Sequence, residues 1–152
     1  MKKALVAYYS RTGNTRKIAQ TIAKKLNADL DEIIDRKDRS GIVGWLVGGK
    51  DAFAKKPTKI DFKKNPKKYG LLILGSPIWA WTITPALREY LLKNKITKFA
   101  FFCTCGGDNK DLAEKIQAIS NKPTAMLIIK DKELDSKETE VKINNFIRAV
   151  RR

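Results

Sequence analysis

The feature that most constrains this chain is an alternation of short, continuous apolar runs with segments whose apolar residues recur at helical spacing. Four runs stand out: Ala4-Leu5-Val6-Ala7-Tyr8-Tyr9, Leu71-Leu72-Ile73-Leu74, Phe99-Ala100-Phe101-Phe102 and Ala125-Met126-Leu127-Ile128-Ile129. A fifth, more polar, covers residues 30–34. Unbroken apolar runs of this length are what parallel strands require when helices cover both faces of a sheet. Ile18, Ile22 and Leu26, flanked by Ala19 and Ala23, predict a helix over residues 14–26. Leu87, Tyr90 and Leu91, then Leu112, Ile116 and Ile119, then Ile143, Phe146, Ile147 and Val150 predict three more. Strand alternating with helix implies right-handed crossovers and an α/β three-layer sandwich, for which a five-stranded parallel sheet in order 2-1-3-4-5 is a common solution. The polar second strand suits an edge. At 152 residues the chain is long enough to bury a core without staples, so one domain over residues 1–152 is expected. Residues 41–57 carry Ile42, Trp45, Leu46 and Phe53 at roughly helical spacing but are interrupted by Gly48-Gly49, which predicts a short, broken helix with Trp45 packed on the sheet.

Composition removes several chemistries. There is no histidine, which excludes a Ser-His-Asp triad, a Cys-His pair and a His-ligated metal, so neither catalytic residues nor metal ligands are assigned. The two cysteines, Cys103 and Cys105, are one residue apart and provide no disulfide framework, which suits a reducing cytoplasm. No window approaches the roughly 18 to 20 apolar residues of a membrane span, and no signal peptide is expected at the N-terminus. Net charge is +16, and residues 36–68 hold eleven Lys or Arg against three acids. Such a stretch can attract an acidic partner, an anionic substrate, a membrane surface or nucleic acid, or can simply be a solvated face.

In an open α/β sheet, ligands bind outside the carboxyl ends of the strands, where strand order reverses. Three loops meet there. The first, Ser10-Arg11-Thr12-Gly13-Asn14-Thr15, opens directly into a helix and offers hydroxyls, an amide and unpaired N–H groups that suit a phosphate. Neither the P-loop nor the dinucleotide Gly-x-Gly-x-x-Gly spacing is present. The second, Gly75-Ser76-Pro77-Ile78-Trp79-Ala80-Trp81-Thr82, brings two tryptophans to the same edge, where a flat π-system can stack. Trp79 is the favoured stacking residue, while Trp81 has an equal alternative in packing on the following helix. The third, Cys103-Thr104-Cys105-Gly106-Gly107-Asp108-Asn109, permits close backbone approach at its paired glycines, with Asp108 read as a helix cap and Cys105 as a half-buried thiol.

The first loop resembles the FMN-phosphate loop of flavodoxins, Ser/Thr-x-Thr-Gly-Asn-Thr, and Gly75-Ser76-Pro77-Ile78-Trp79 resembles that family's second loop, in which an aromatic stacks on the isoalloxazine. The resemblance extends over nearly the whole chain and implies a flavodoxin-like fold that binds FMN non-covalently. It implies cofactor contacts at Ser10, Arg11, Thr12, Gly13, Asn14 and Thr15, at Ser76, Pro77, Ile78, Trp79, Ala80 and Trp81, and at Thr104, Cys105, Gly106, Gly107 and Asp108. Three features depart from the family pattern. Cys105-Gly106-Gly107 stands where carriers usually place a second stacking aromatic, which leaves one flavin face open as in flavodoxin-like reductases. The chain is basic where flavodoxin carriers are usually acidic, which implies a partner with an acidic docking face and a less negative flavin potential. Arg11 puts a cation in the phosphate turn, either on the phosphate or in solvent.

The leading functional expectation is a cytoplasmic electron carrier. The alternative is an FMN-dependent oxidoreductase, of the NAD(P)H:quinone, flavin reductase or protoporphyrinogen dehydrogenase type, meeting NAD(P)H or a planar substrate. A flavin-free basic binding module is the most distant reading, and no specific nucleic-acid partner is expected, because the basic stretch lacks regular aromatic interleaving.

Overall fold

The computed structural model describes residues 3–107 and 109–152. Its elements run β1 (Ala4–Tyr8), α1 (Asn14–Leu26), β2 (Asp29–Glu32), β3 (Ile34–Asp35), α2 (Gly41–Phe53), β4 (Ile60–Asp61), β5 (Leu71–Trp79), β6 (Thr82–Ile83), α3 (Pro85–Asn94), β7 (Ala100–Cys105), α4 (Leu112–Gln117), β8 (Met126–Lys130) and α5 (Lys137–Val150). The main sheet has the strand order β2-β1-β5-β7-β8, with all four pairings parallel, so the expected five-strand order is what the backbone adopts.

Alternate residues of the strands feed two cores, as the period of two along a strand demands. Leu5, Ala7, Leu74, Phe101 and Cys103 pack with Ala52 of α2, with Leu87 and Tyr90 of α3 and with Leu112 and Ile116 of α4. Val6, Tyr8, Ile73, Phe102 and Leu127 pack on the other face with Ile18 and Ile22 of α1 and Ile143 and Phe146 of α5. The sheet is thus sandwiched by helices, and helix α1 begins and ends at the residues its periodicity predicts.

Three local expectations are corrected. The second strand is Asp29–Glu32 rather than residues 30–34, because Ile34–Asp35 leaves the main sheet to pair antiparallel with Ile60–Asp61. That small ladder is held by a bidentate contact of Arg36 with Asp61, Nε at 2.9 Å and Nη2 at 2.6 Å. The third strand runs on to Trp79 and folds back through Ala80 and Trp81, both at positive φ, into β6. Finally, α2 is a continuous 13-residue helix rather than a broken one. Gly48 does not interrupt it because that is where the helix meets the sheet: a Cβ on Gly48 would lie 2.9 Å from Trp79 Cζ3, so only glycine allows this approach.

A buried ion cluster fixes the entry to α2. Arg39 is buried and bonds Asp35 at 3.1 Å and Asp51 at 2.6 Å, and Lys37 joins Asp51 at 2.8 Å. Several charges of the basic stretch are therefore structural rather than a free electrostatic field.

Candidate functional site

At the carboxyl edge of the sheet two hollows adjoin, one of about 480 Å³ and one of about 290 Å³. Both are lined by Trp45, Ile78, Trp79, Cys105 and Gly106, so they form one cleft with two ends.

The smaller end lies over the start of α1. Gly13 occupies the N-cap position with φ 101°, a left-handed conformation natural to glycine. No side chain caps this helix, and its first turn holds no acid, whereas α3 and α5 are capped by the Thr84 and Ser136 hydroxyls. The first-turn N–H groups and the positive end of the helix dipole consequently face the hollow without an internal acceptor, which is the arrangement that binds anions. Ser10 Oγ accepts from the Gly13 N–H at 3.1 Å and so shapes the turn from outside the hollow. Thr12 and Thr15 line it, and Thr15 Oγ1 is 2.8 Å from Thr104 Oγ1, tying the first loop to the third. Asn14 is the first residue of the helix, not its cap, and its amide donates to Asp131 at 3.3 Å.

Arg11 does something neither sequence alternative anticipated. Its Nε donates to the Arg39 carbonyl and its Nη2 to the Gly41 carbonyl, each at 2.8 Å, so the guanidinium clamps the start of α2 against the phosphate-type turn.

The larger end is apolar. Ile78, Trp79, Ala80 and Trp81 form one wall, Cys105, Gly106 and Gly107 a second, and Trp45, Leu46, Gly49 and Lys50 of α2 a third. Trp79 is only 9% exposed: its ring meets Tyr9 edge-on at 5.6 Å and supports Gly48, and only part of it reaches the cleft. Trp81 is 65% exposed at the rim, with its carbonyl accepting from Lys115 of α4 at 2.9 Å. Trp45 is 57% exposed, which corrects the expectation that it packs the sheet. The rings free to cover a planar ligand are therefore Trp45 and Trp81, while Trp79 is chiefly a core residue.

Ser76 is a further correction. It is fully buried, donates to the Pro77 carbonyl at 2.7 Å and pairs with Thr84 Oγ1 at 2.9 Å, and it lines neither hollow, although Pro77 lines the smaller one. Cys105 is buried rather than half-buried, yet the residue lines both ends of the cleft. Its contact with the Cys103 thiol brings the Cys105 pKa down to about 7 against the opposing effect of burial, and the same contact, with burial, holds Cys103 well above the ordinary range. Asp108 lies outside the described residues. The sequence reading missed Leu46, Gly49 and Lys50, and also Asp131 just beyond β8. The signal for α2 was the spacing of Gly44 and Gly48, four apart, which marks the face turned inward.

This combination of a 2-1-3-4-5 sheet, an uncapped first helix and an aromatic-rimmed slot defines a flavodoxin-type α/β protein. A family profile described as flavodoxin matches residues 3–150, and the chain belongs to that family. Solved structures share the fold. A flavoprotein from Lactobacillus acidophilus NCFM, solved in complex with FMN, is 21% identical with a TM-score of 0.70, covering 91% of this chain and 99% of that one. A candidate flavoprotein from Bacteroides uniformis ATCC 8492 is 19% identical with a TM-score of 0.78, over 97% and 98% of the two chains. Oxidised Flavodoxin 2 from Bacillus cereus is 22% identical with a TM-score of 0.58, over 98% and 97%. No curated protein matches the sequence. Among the described residues no helix is long and apolar enough to cross a membrane, and no cluster of side chains could hold a metal ion.

Proposed function

We propose that the chain binds FMN non-covalently in this cleft and passes electrons between redox partners, one of them a protein with an acidic docking face. The observation that carries the reading is the junction, within one cleft, of an uncapped helix N-terminus and an apolar slot whose rim holds two exposed indoles. The residues present fit the group. The first-turn N–H groups of α1, with Thr12, Asn14 and Thr15, would hold the phosphate. Trp45 and Trp81 would flank the ring system, with Ile78 and Gly106 lining the same slot. The FMN ring supplies the electron-accepting chemistry when bound, and the protein sets its orientation and electrostatics. Lys50 on the slot wall would place a positive charge near the bound ring, favouring the charge that reduction adds. A cytoplasmic location suits two free thiols.

A second reading, an FMN-dependent reductase, is favoured by a specific feature. A separate hollow of about 360 Å³ adjoins the slot across Ala80 and Trp81, with Phe53 and Ile83 beside Lys55, Arg88 and Lys115, a setting for a planar or anionic substrate.

The two are separated by loading the protein with FMN, removing free flavin and following the visible absorbance without oxygen as NADH and then NADPH are added. A retained band that resists both nucleotides but is reduced by dithionite supports the carrier. Rapid bleaching by either nucleotide identifies the reductase, and loss of the yellow band on washing removes both.

A further inference from the structure

We infer that the outer face of α2 is an interfacial membrane-binding surface, seated on a bilayer with anionic headgroups. The helix is amphipathic in the wrong sense for a soluble domain. At about 100° per residue, Ile42, Leu46, Gly49 and Phe53 fall within about 60° of one another, and Gly44, Gly48, Asp51 and Ala52 fall on the opposite side. The structure buries the second set and exposes Ile42, Leu46 and Phe53 of the first, with Gly49 half-buried. Ile42, Val43, Leu46 and Phe53 are each between 58% and 79% exposed. Ordinarily such residues turn toward the core and small ones face out.

The helix cannot relieve this by rolling over. Gly48 lies against the Trp79 ring, a Cβ on Gly44 would lie 2.3 Å from the Arg39 carbonyl carbon, and Asp51 is held inward by Arg39 and Lys37. The exposed stripe is therefore imposed by packing and not by a chance rotation. Half of the exposed large hydrophobic residues among the described residues lie on this one helix. A contiguous exposed apolar face of this kind marks an interaction site.

Charge selects the occupant. Lys50, Lys55 and Lys56 are exposed beside and just beyond the stripe and make no ion pair among the described residues. The only acid of the helix, Asp51, is turned inward and neutralised. The stripe itself has no polar side chain to fix the register of a protein partner, and the basic excess extends over the whole chain, at +16. Apolar insertion without directional bonds, flanked by lysines, matches a lipid surface, where burial and attraction to anionic headgroups act together. The stripe meets the cleft wall at Trp45, Leu46 and Gly49, while Ile42 and Val43 lie clear of it, so binding would turn the mouth of the cleft toward the bilayer. The inference does not depend on what the cleft holds.

The test is co-sedimentation of the full chain with vesicles of phosphatidylcholine containing phosphatidylserine, against vesicles of phosphatidylcholine alone. The probe variants are Ile42→Asp with Val43→Asp, which leave both hollows untouched and place acids in the first turn of α2, where the dipole favours them. Lys55→Gln with Lys56→Gln is the charge variant, and circular dichroism and urea midpoints confirm that all remain folded. The expected result is binding to the anionic vesicles that falls at least tenfold with the neutral ones, at least tenfold in the Asp variant, and several-fold in the Gln variant. Absence of binding to anionic vesicles overturns the inference, as does equal binding by the Asp variant. So does a dimer in analytical ultracentrifugation that the Asp variant splits, because the face then belongs to a second copy.

Discussion

Replacing Arg11 with methionine separates two roles that the sequence left open. The guanidinium makes two charge-assisted bonds of 2.8 Å, one partly buried to the Arg39 carbonyl and one exposed to the Gly41 carbonyl. Bonds involving a charged group contribute roughly 1.5 to 3 kcal/mol when shielded from water and less when exposed. Taking about 1.5 for the shielded bond and about 0.5 for the exposed one, and keeping the aliphatic stem as methionine, Arg11→Met should destabilise the fold by about 2 kcal/mol. With a urea slope of about 1.5 kcal/mol/M, the midpoint should fall by about 1.3 M. Urea unfolding followed by far-UV circular dichroism measures this directly. A fall below about 0.3 M would refute the clamp. If affinity for FMN instead drops by about 1 to 3 kcal/mol while the midpoint stays put, Arg11 belongs to the phosphate and not to α2.

Two further outcomes follow from the titratable groups. Asp51→Ala should cost about 3 kcal/mol, because it leaves the buried Arg39 with an unpaired share of its charge. The Lys37 contact, followed by Arg39, lowers the Asp51 pKa below its ordinary 3.8, so its contribution is full above that value and is lost as pH falls through the lower folded one. The difference between the parent and Asp51→Ala in urea should therefore shrink only in acid, and a difference that shrinks between pH 5 and 8 would contradict the assignment. Alkylation of Cys105 by iodoacetamide, followed by mass spectrometry in a Cys103→Ala background and in the parent, should accelerate as pH rises through about 7 in the parent. In the variant the rise should move to higher pH, since the Cys103 contact is the largest cause of the lowering, and an unchanged profile would sink that cause.

Much of the fold was legible because the signals were local and redundant. The continuous apolar runs could only be satisfied by strands covered on both faces, and the spacing of Ile18, Ile22 and Leu26 has one reading. Elements that depend on distant partners were not legible. Ile34 and Asp35 leave the sheet because residues 60 and 61 offer a separate ladder, and nothing in residues 30–34 alone announces this. Gly48-Gly49 reads as a helix break, yet Gly48 is a contact point against Trp79, as Gly44 is against the Arg39 backbone, so tertiary packing reversed a propensity argument. The expectation that Trp45 packs the sheet came from a different rule, that an apolar stripe usually faces the core. With Gly44 and Gly48 buried, the large residues of that helix had to face outward, and Trp45 became part of the cleft wall. The phosphate-type turn was readable from six consecutive residues, whereas the aromatic walls required knowing that Trp79 sits behind Tyr9.

The charge excess was read as a surface property, and the structure divides it. Arg36, Lys37 and Arg39 are committed to ion pairs that build the β3–β4 ladder and anchor α2, while Lys50, Lys55 and Lys56 remain available at the rim. Function at this cleft is thus supported by a scaffold whose own charges organise the wall that bears Trp45.

The most direct measurement of the central claim is a fluorescence titration of the purified chain with FMN and, separately, with riboflavin, which lacks the phosphate. The account predicts saturable quenching of FMN at one per chain, and affinity for riboflavin at least tenfold weaker, because the uncapped start of α1 would have no anion to bind. FMN that fails to bind, or riboflavin that binds equally well, would contradict it.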